Sequence, residues 1–307
     1  MGHLPERRDG LRSGGVVDNT NEAPSAQQLF GTIKHDILAA HQEAHFTYED
    51  VDLATGPSLL ASLEQAPTIE AVCPRLSFNS YTKTLDIDVM HTFTRDCHQA
   101  WLNEEVARMG DSLFITPAER SLLDRSTGTS KPISLPNHMQ SVLLWLLIYA
   151  HQAFRGFQDP YAASENQPDM SIVHHGHYFP SVVIESGWSE SFDRLHRDMR
   201  LWLVGGAGQV CLVLLFKWTK MPGNYVKGVV ESWDSDPTGN ERLLQTEIIY
   251  PIPNSGSGNQ VIRITRGQLF GAMLPTGRNR DDIYGLSVSN LRHKSNISLQ
   301  RDGYRPA

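Results

Sequence analysis

The chain is poor in cysteine, with three in 307 residues, Cys73, Cys97 and Cys211, widely spaced and without a CxxC pair. An odd, scattered set argues against a disulfide framework and a zinc ribbon and suits a reducing, intracellular compartment. Long hydrophobic runs are missing too. The most apolar windows, 142–150 and 210–216, fall well short of the ~20 residues of a membrane-spanning helix, so both are assigned to a core and no membrane partner is expected. The first 25 residues are rich in Gly, Arg, Asp, Asn and Pro but hold no apolar stretch, which predicts a disordered leader rather than a signal peptide. Runs of basic charge are absent as well: 27 Lys and Arg stand against 34 Asp and Glu, a net charge of −7. Broad, sequence-independent nucleic-acid binding is therefore disfavoured, although a local basic patch is compatible with a net-negative protein.

What remains is an ordinary folded composition, 40% hydrophobic and 20% charged, long enough to bury a core without covalent staples. Leu29, Ile33, Ile37 and Leu38, then Leu59, Leu60 and Leu63, recur at helical spacing. Over 75–90 the period becomes two, with Leu85, Ile87 and Val89 alternating with Thr84, Asp86 and Asp88, which predicts a β-hairpin. An amphipathic helix follows over 94–109, with Arg95 and Asp96 among the residues assigned to its solvent side. Thr116-Pro117-Ala118-Glu119 is a capping box that opens a helix ending near 125. A buried helix is expected over 139–157. Short strands at 169–173 and 179–185 flank a histidine-rich turn. An amphipathic helix over 191–203 turns Arg194, Arg197 and Asp198 outward and is stopped by Gly205-Gly206 in a left-handed cap. The continuous apolar run 210–216 suits a strand covered on both faces. Further strands at 226–233, 247–250 and 260–265 and a short helix at 266–273 complete an α/β (α+β) arrangement around one mixed central sheet flanked by helices. The expected division is a leader over 1–25, one domain over 26–275 and a polar tail over 276–307.

The candidate chemistry lies in Asp169, Glu185 and Lys217. If the chain reversal is centred on His177, Asp169 and Glu185 are equidistant from it and face each other across an antiparallel pair. Opposed residues there have Cβ atoms about 4.5–5.5 Å apart. Two carboxylates at that spacing can share one hard divalent cation and repel without it. Lys217 ends the next buried strand, where its ammonium can reach the same end of the sheet. Magnesium on such carboxylates polarises a phosphate and lowers the pKa of a bound water, while a lysine positions that water or stabilises developing charge. The competing reading makes Glu185 an ordinary strand-end carboxylate and Lys217 a solvated residue.

Other features carry less. His174, His175 and His177, or His91, Cys97 and His98, suggest a transition-metal site of a small-molecule enzyme, yet vicinal histidines on a strand point to opposite faces and neither spacing is that of structural zinc. Gly205 to Gly208 follows a helix and precedes a strand, the reverse of a phosphate loop. Ser186 and Ser189 lack the Gly-x-Ser-x-Gly elbow, and Ser189-Glu190-Ser191 suits a helix cap. Trp188, Trp202 and Trp218 belong to a core or line a groove where bases stack.

Gln167-Pro168-Asp169, the strand from Pro180 through Val182-Val183-Ile184-Glu185 to Ser191, Leu195 to Asp198, Trp202-Leu203 and the strand ending at Lys217 together resemble the PD-(D/E)XK restriction-endonuclease-like superfamily. The nearest likeness is to a fungal branch of its nucleases, which the block Leu85 to Val89, His91, His98-Gln99 and Trp101 also resembles. The resemblance covers about residues 75–270. It implies a leading helix and a mixed sheet, Mg²⁺ held by Asp169 and Glu185, phosphodiester hydrolysis, and nucleic acid as partner. The family's lysine lies two residues after the glutamate, where this chain has Gly187, and the helical alternative falls on Arg197, Asp198 or Arg200. Lys217 is taken as the substitute. Two expectations follow: a Mg²⁺-dependent nuclease using Asp169, Glu185 and Lys217, or a catalytically inactive interaction or nucleic-acid-binding module of the same fold.

Overall fold

The alternation over 75–89 folds as the hairpin it predicts, and that hairpin anchors an amino-terminal lobe in the computed structural model, which describes residues 24–89, 92–127, 152–189, 192–254 and 257–307. The expected leader up to residue 23, His91, the Glu190-Ser191 part of the cap and the buried helix up to residue 151 lie outside the described residues. Residues 152–157 form no helix; Phe154 instead bridges to Asn166.

In the lobe, α1 (Ala26–Ala39) is opened by a reciprocal cap in which Ser25 and Gln28 each accept from the other's backbone amide. β1 (Ala44–Tyr48), α2 (Thr55–Glu64), α3 (Pro67–Glu70), β2 (Arg75–Asn79) and β3 (Thr84–Val89) follow, with strand order β1-β3-β2. Side chains alternate along a strand. Leu76, Phe78, Leu85, Ile87 and Val89 therefore enter the lobe's core with Ile33, Ile37, Leu60 and Leu63. Arg75, Ser77, Asp86 and Asp88 take the opposite face, Arg75 directly across from Asp88. That face is buried rather than solvated.

The second core is built on a mixed sheet. α4 (Cys97–Asp111) leads into α5 (Pro117–Arg120), where the Thr116–Glu119 capping box forms as its sequence predicts. The helix stops at Arg120 rather than near 125, because β4 (Leu123–Thr127) pairs with β5 (Met170–His174) and tertiary pairing overrides local preference. Then come β6 (Pro180–Trp188), α6 (Phe192–Arg200), a π-helical turn (Leu201–Gly205), β7 (Leu212–Met221), β8 (Tyr225–Ser235), β9 (Glu241–Tyr250), β10 (Val261–Thr265), α7 (Arg266–Phe270), β11 (Ile283–Ser287), α8 (Val288–Arg301) and β12 (Arg305–Pro306). The sheet runs β12-β8-β7-β6-β5-β4, with β9 also on β8. β6 and β7 are parallel and joined through α6, whereas β4–β5, β5–β6 and β7–β8 are antiparallel. The protein is thus of the α+β class with a mixed central sheet.

Ile172, Ile184, Leu214, Phe216 and Trp218 pack on one face with Trp101, Val106, Leu291 and Leu299 of α4 and α8. Val183, Val213 and Leu215 pack on the other with Phe154, Leu195, Met199 and Trp202. Burial on both faces explains the unbroken apolar run of β7. Two expectations need correction. The stretch after 276 is no polar tail: β11 pairs with β10, α8 sinks Val288, Leu291 and Leu299 into the core, and β12 pairs with β8. Its polar residues Asn290, Arg292 and Ser295 are themselves buried, so hydropathy hid the inward face. The left-handed residues after α6 are Ala207 and Gly208, not Gly205-Gly206. Those glycines serve proximity instead, since a Cβ on Gly206 would lie 2.3 Å from the Trp202 carbonyl oxygen. No helix among the described residues is long and apolar enough to cross a membrane.

Candidate functional site

The register of β5 and β6 brings the two acids together. Met170 faces Ile184, Ser171 faces Val183 and Ile172 faces Val182, so one step further along the pair Asp169 meets Glu185. Nearer the turn Val173 opposes Pro180, and a bulge between Ile172 and Val173 then shifts the register by one residue to the one that carries the carboxyls. The Ser186 amide donates to Asp169 Oδ2 at 2.6 Å, and Trp202 Nε1 donates to Glu185 Oε1 at 2.8 Å.

A cation lies between the acids, and it belongs to the protein. Arg75 Nη1 is 2.5 Å from Asp169 Oδ1 and 3.0 Å from Glu185 Oε2. β2 delivers it by running beside the segment that leads into β5: Phe78 and Glu165 exchange backbone hydrogen bonds of 2.7 and 2.9 Å, and the Leu76 amide donates to Gln167 Oε1. The other edge of the guanidinium, Nε and Nη2, donates to Asp88 Oδ2 at 3.2 and 2.9 Å. Arg95 Nη2 donates to the same Oδ2 at 2.8 Å while its Nε donates to the Ser186 carbonyl at 2.9 Å. Arg194 Nη1 lies 3.3 Å from that oxygen and 3.2 Å from Asp198 Oδ2, and His45 Nδ1 holds Asp88 Oδ1 at 2.7 Å. Among the described residues, Arg194 Nε and Nη2 are buried without a hydrogen-bond partner.

Burial sets the protonation of this network. Loss of water pushes the Glu185 carboxyl up to about 8; the Asp169 and Asp198 charges raise it too, and Arg75 only partly offsets them. Asp198 is likewise pushed up to about 6, chiefly by burial. For Asp88, burial works upward but is outweighed by Arg194, Arg95 and Arg75, which hold it well below the usual carboxylate range. Arg75 is held well above its ordinary value, because its acidic partners outweigh burial. Burial takes His98 down to about 4, and so it stays neutral at physiological pH.

Lys217 reaches the right neighbourhood but points elsewhere. It pairs across the parallel strands with Gly187, beside the position where the resemblance expects a lysine. Its ammonium, however, binds Glu231 Oε1 of β8 at 2.7 Å, lies 3.3 Å from His196 Nε2 and sits over the Phe192 ring. Among the described residues, which leave out His91, the histidines do not assemble into a metal site. His174 is buried, its Nε2 2.9 Å from the Leu269 carbonyl oxygen, and His98 is buried with Nδ1 2.9 Å from the Arg95 carbonyl oxygen, while His175 and His177 are exposed. Trp188, Trp202 and Trp218 are all buried in the core. Ser186 is buried and accepts a hydrogen bond from Trp218 Nε1.

Among the described residues no group of three or more His, Cys, Asp or Glu side chains could hold a metal ion. The acid pair alone is a sparse donor set for Mg²⁺, which prefers octahedral oxygen coordination. Since Arg75 Nη1 stands between the two carboxylates, the site as arranged does not fit the ion. Arg75, Asp88, Arg95 and Arg194 escaped the sequence reading because charged residues alternating with apolar ones, or opposite an apolar helix stripe, read as a solvent face. The available signal was Arg75 and Asp88 on the same face of one predicted hairpin, together with the four-residue spacing of Arg194 and Asp198. No protein-family profile matches the chain, and no curated protein matches it either.

Proposed function

We propose that this chain is a catalytically inactive member of the restriction-endonuclease-like class, an interaction or nucleic-acid-binding module whose cation seat is filled by its own arginine. The observation that carries the reading is the placement of Arg75 Nη1 at 2.5 and 3.0 Å from Asp169 and Glu185. A leading helix α4, a mixed sheet and the facing of Asp169 and Glu185 support the class. The engagement of Lys217 with Glu231 and burial of both acids support inactivity, because hydrolysis needs a cation and a water at the carboxylates. Convergence of both carboxylates on one positive charge favours a second reading, a Mg²⁺-dependent nuclease closed by Arg75.

Calorimetric titration with Mn²⁺ and Mg²⁺, paired with cleavage assays on DNA and RNA, separates them. Absence of saturable metal binding and of cleavage, in the wild type and in Arg75→Met, is the expected result. Metal binding by the wild type that disappears in Asp169→Ala overturns the proposal. Binding and cleavage gained only in Arg75→Met would establish the closed nuclease instead.

A further inference from the structure

One oxygen of the Asp88 carboxylate is approached by more donors than its lone pairs can serve. Its Oδ2 takes Arg75 Nε and Nη2 and Arg95 Nη2, with Arg194 Nη1 at 3.3 Å, and its Oδ1 takes His45. Three guanidiniums and an imidazole converge on two oxygens. Arg194 is 3% exposed, yet its Nε and Nη2 find no hydrogen-bond partner among the described residues. A buried donor left unmade is costly. The surplus would be used by an anion with more oxygens than a carboxylate, and arginine forks match phosphate oxygens as well as carboxylate ones.

We infer that Arg95, Arg194 and His45 form an oxyanion seat for a phosphoryl group, and that Asp88 of the amino-terminal lobe occupies it as an internal substitute. The β2–β3 hairpin then supplies two stand-ins from adjacent strands: Arg75 where a cation would sit between the acids, and Asp88 where an anion would sit beside it. Such a pairing of positive and negative seats is what a phosphodiester directed at the Asp169–Glu185 end of the sheet would meet once the Arg75 and Asp88 side chains swing aside, with His45 kept in place by β1, which pairs with β3. The inference rests on the phosphodiester-directed reading of this site, but its test needs no metal and does not depend on catalysis.

The test is rescue of Asp88→Gly, which vacates the seat, by inorganic phosphate in the presence of a chelator, against chloride at equal ionic strength. In chloride the variant is expected to melt several degrees below wild type. Phosphate is expected to restore at least half of that loss with saturable dependence, to leave wild type unmoved, and to lose its effect when Arg194→Gln is added. Phosphate no better than chloride, or equal rescue without Arg194, overturns the seat. If Asp88→Gly does not fold in chloride, recovery on refolding in phosphate supports it. Asp88→Ser is read by the same criteria, and failure of both variants to fold in phosphate counts against it. Because the assay contains no divalent ion, its failure leaves the Mn²⁺ titrations untouched, and a metal-binding wild type would leave the anion seat standing.

Discussion

Glu185→Gln should flatten one limb of the pH–stability profile. The Glu185 carboxyl is pushed up to about 8 from an ordinary value of 4.5, so between those values the folded state holds a proton that the unfolded state has released. Stability then falls as pH rises through the window. His98, taken down to about 4 from 6.5, acts in the opposite sense, since the unfolded chain binds the extra proton and stability rises with pH up to 6.5. The two slopes nearly cancel below 6.5, where Asp198, up at about 6 from 3.8, adds to the Glu185 side. Above 6.5 the Glu185 limb stands with little opposition. From pH 6.5 to 8.5 it amounts to about 2 kcal/mol, at ~1.4 kcal/mol per pH unit up to the midpoint. His45 is held above its ordinary value because Asp88 and Asp86 outweigh its burial, and it contributes loss in the same direction. The informative quantity is therefore the difference between wild type and Glu185→Gln in urea unfolding at each pH. Wild type should lose about 2 kcal/mol more than the variant across that interval. A difference that stays constant would mean that Arg75 already holds Glu185 ionised at pH 6.5, and would falsify the claim that burial governs this carboxyl.

Arg75→Met keeps much of the side-chain volume but leaves Asp88, Asp169 and Glu185 without their shared cation; a loss of about 3–5 kcal/mol is expected in denaturant unfolding, and a cost under about 1 kcal/mol would mean that water or another arginine replaces it. Arg278→Ala removes a fork to Glu119 at 2.6 and 2.9 Å in which the arginine is part-exposed and Glu119 is buried; a loss of about 1 kcal/mol is expected, and a much larger one would show that burial of the carboxylate governs the pair. Gly228→Ala places a Cβ 2.5 Å from the Trp218 ring; about 1–3 kcal/mol of overpacking is expected, with a change in tryptophan fluorescence, and an unaltered melting temperature and spectrum would show that the ring has room to move.

Much of the fold was legible wherever one periodicity dominated. The hairpin at 75–89 and the strands around the histidine-rich turn were readable because β-branched and apolar residues alternate between turn formers, and the Thr116 cap because its chemistry is local. The facing of Asp169 and Glu185 matches a count centred on His177, but only because the bulge between Ile172 and Val173 adds a residue on β6: nearer the turn Val173 opposes Pro180, and that register alone would have set Asp169 against Ile184. What stayed hidden had a common cause. Arg75, Asp88, Arg95 and Arg194 are polar residues whose environment is other polar residues, so a scheme that sends charge to solvent turns them outward. The segment after 276 failed for the same reason: Asn290 and Glu105 satisfy each other in the interior at 2.9 Å, and only three apolar side chains of α8 mark its buried face. Lys217 is expected near the acids' end of the sheet, but the sequence holds no sign that Glu231, on the next strand in space, claims its ammonium.

The arrangement also decides how Arg75 divides its charge between the acids, and a double-mutant cycle reads that division. Nη1 contacts both carboxyls, but at neutral pH a Glu185 group pushed up to about 8 is mostly neutral and accepts from Arg75 as a dipole, not as an anion. The coupling of Arg75→Met with Glu185→Gln should then be modest near pH 6.5, about the 1 kcal/mol of an ordinary hydrogen bond. It should rise toward the ~1.5–3 kcal/mol of a charge-assisted bond by pH 9, as Glu185 ionises beside a guanidinium that remains protonated throughout. Gln in place of Glu keeps an acceptor for Trp202 Nε1 but presents its NH2 to Arg75, so the cycle reads the whole contact, hydrogen bond and charge, and its change with pH reports the ionic part. A coupling that is already large at pH 6.5 and does not change up to pH 9 would mean that the arginine is neutralised by both acids at once. The buried network would then carry an extra negative charge at neutral pH.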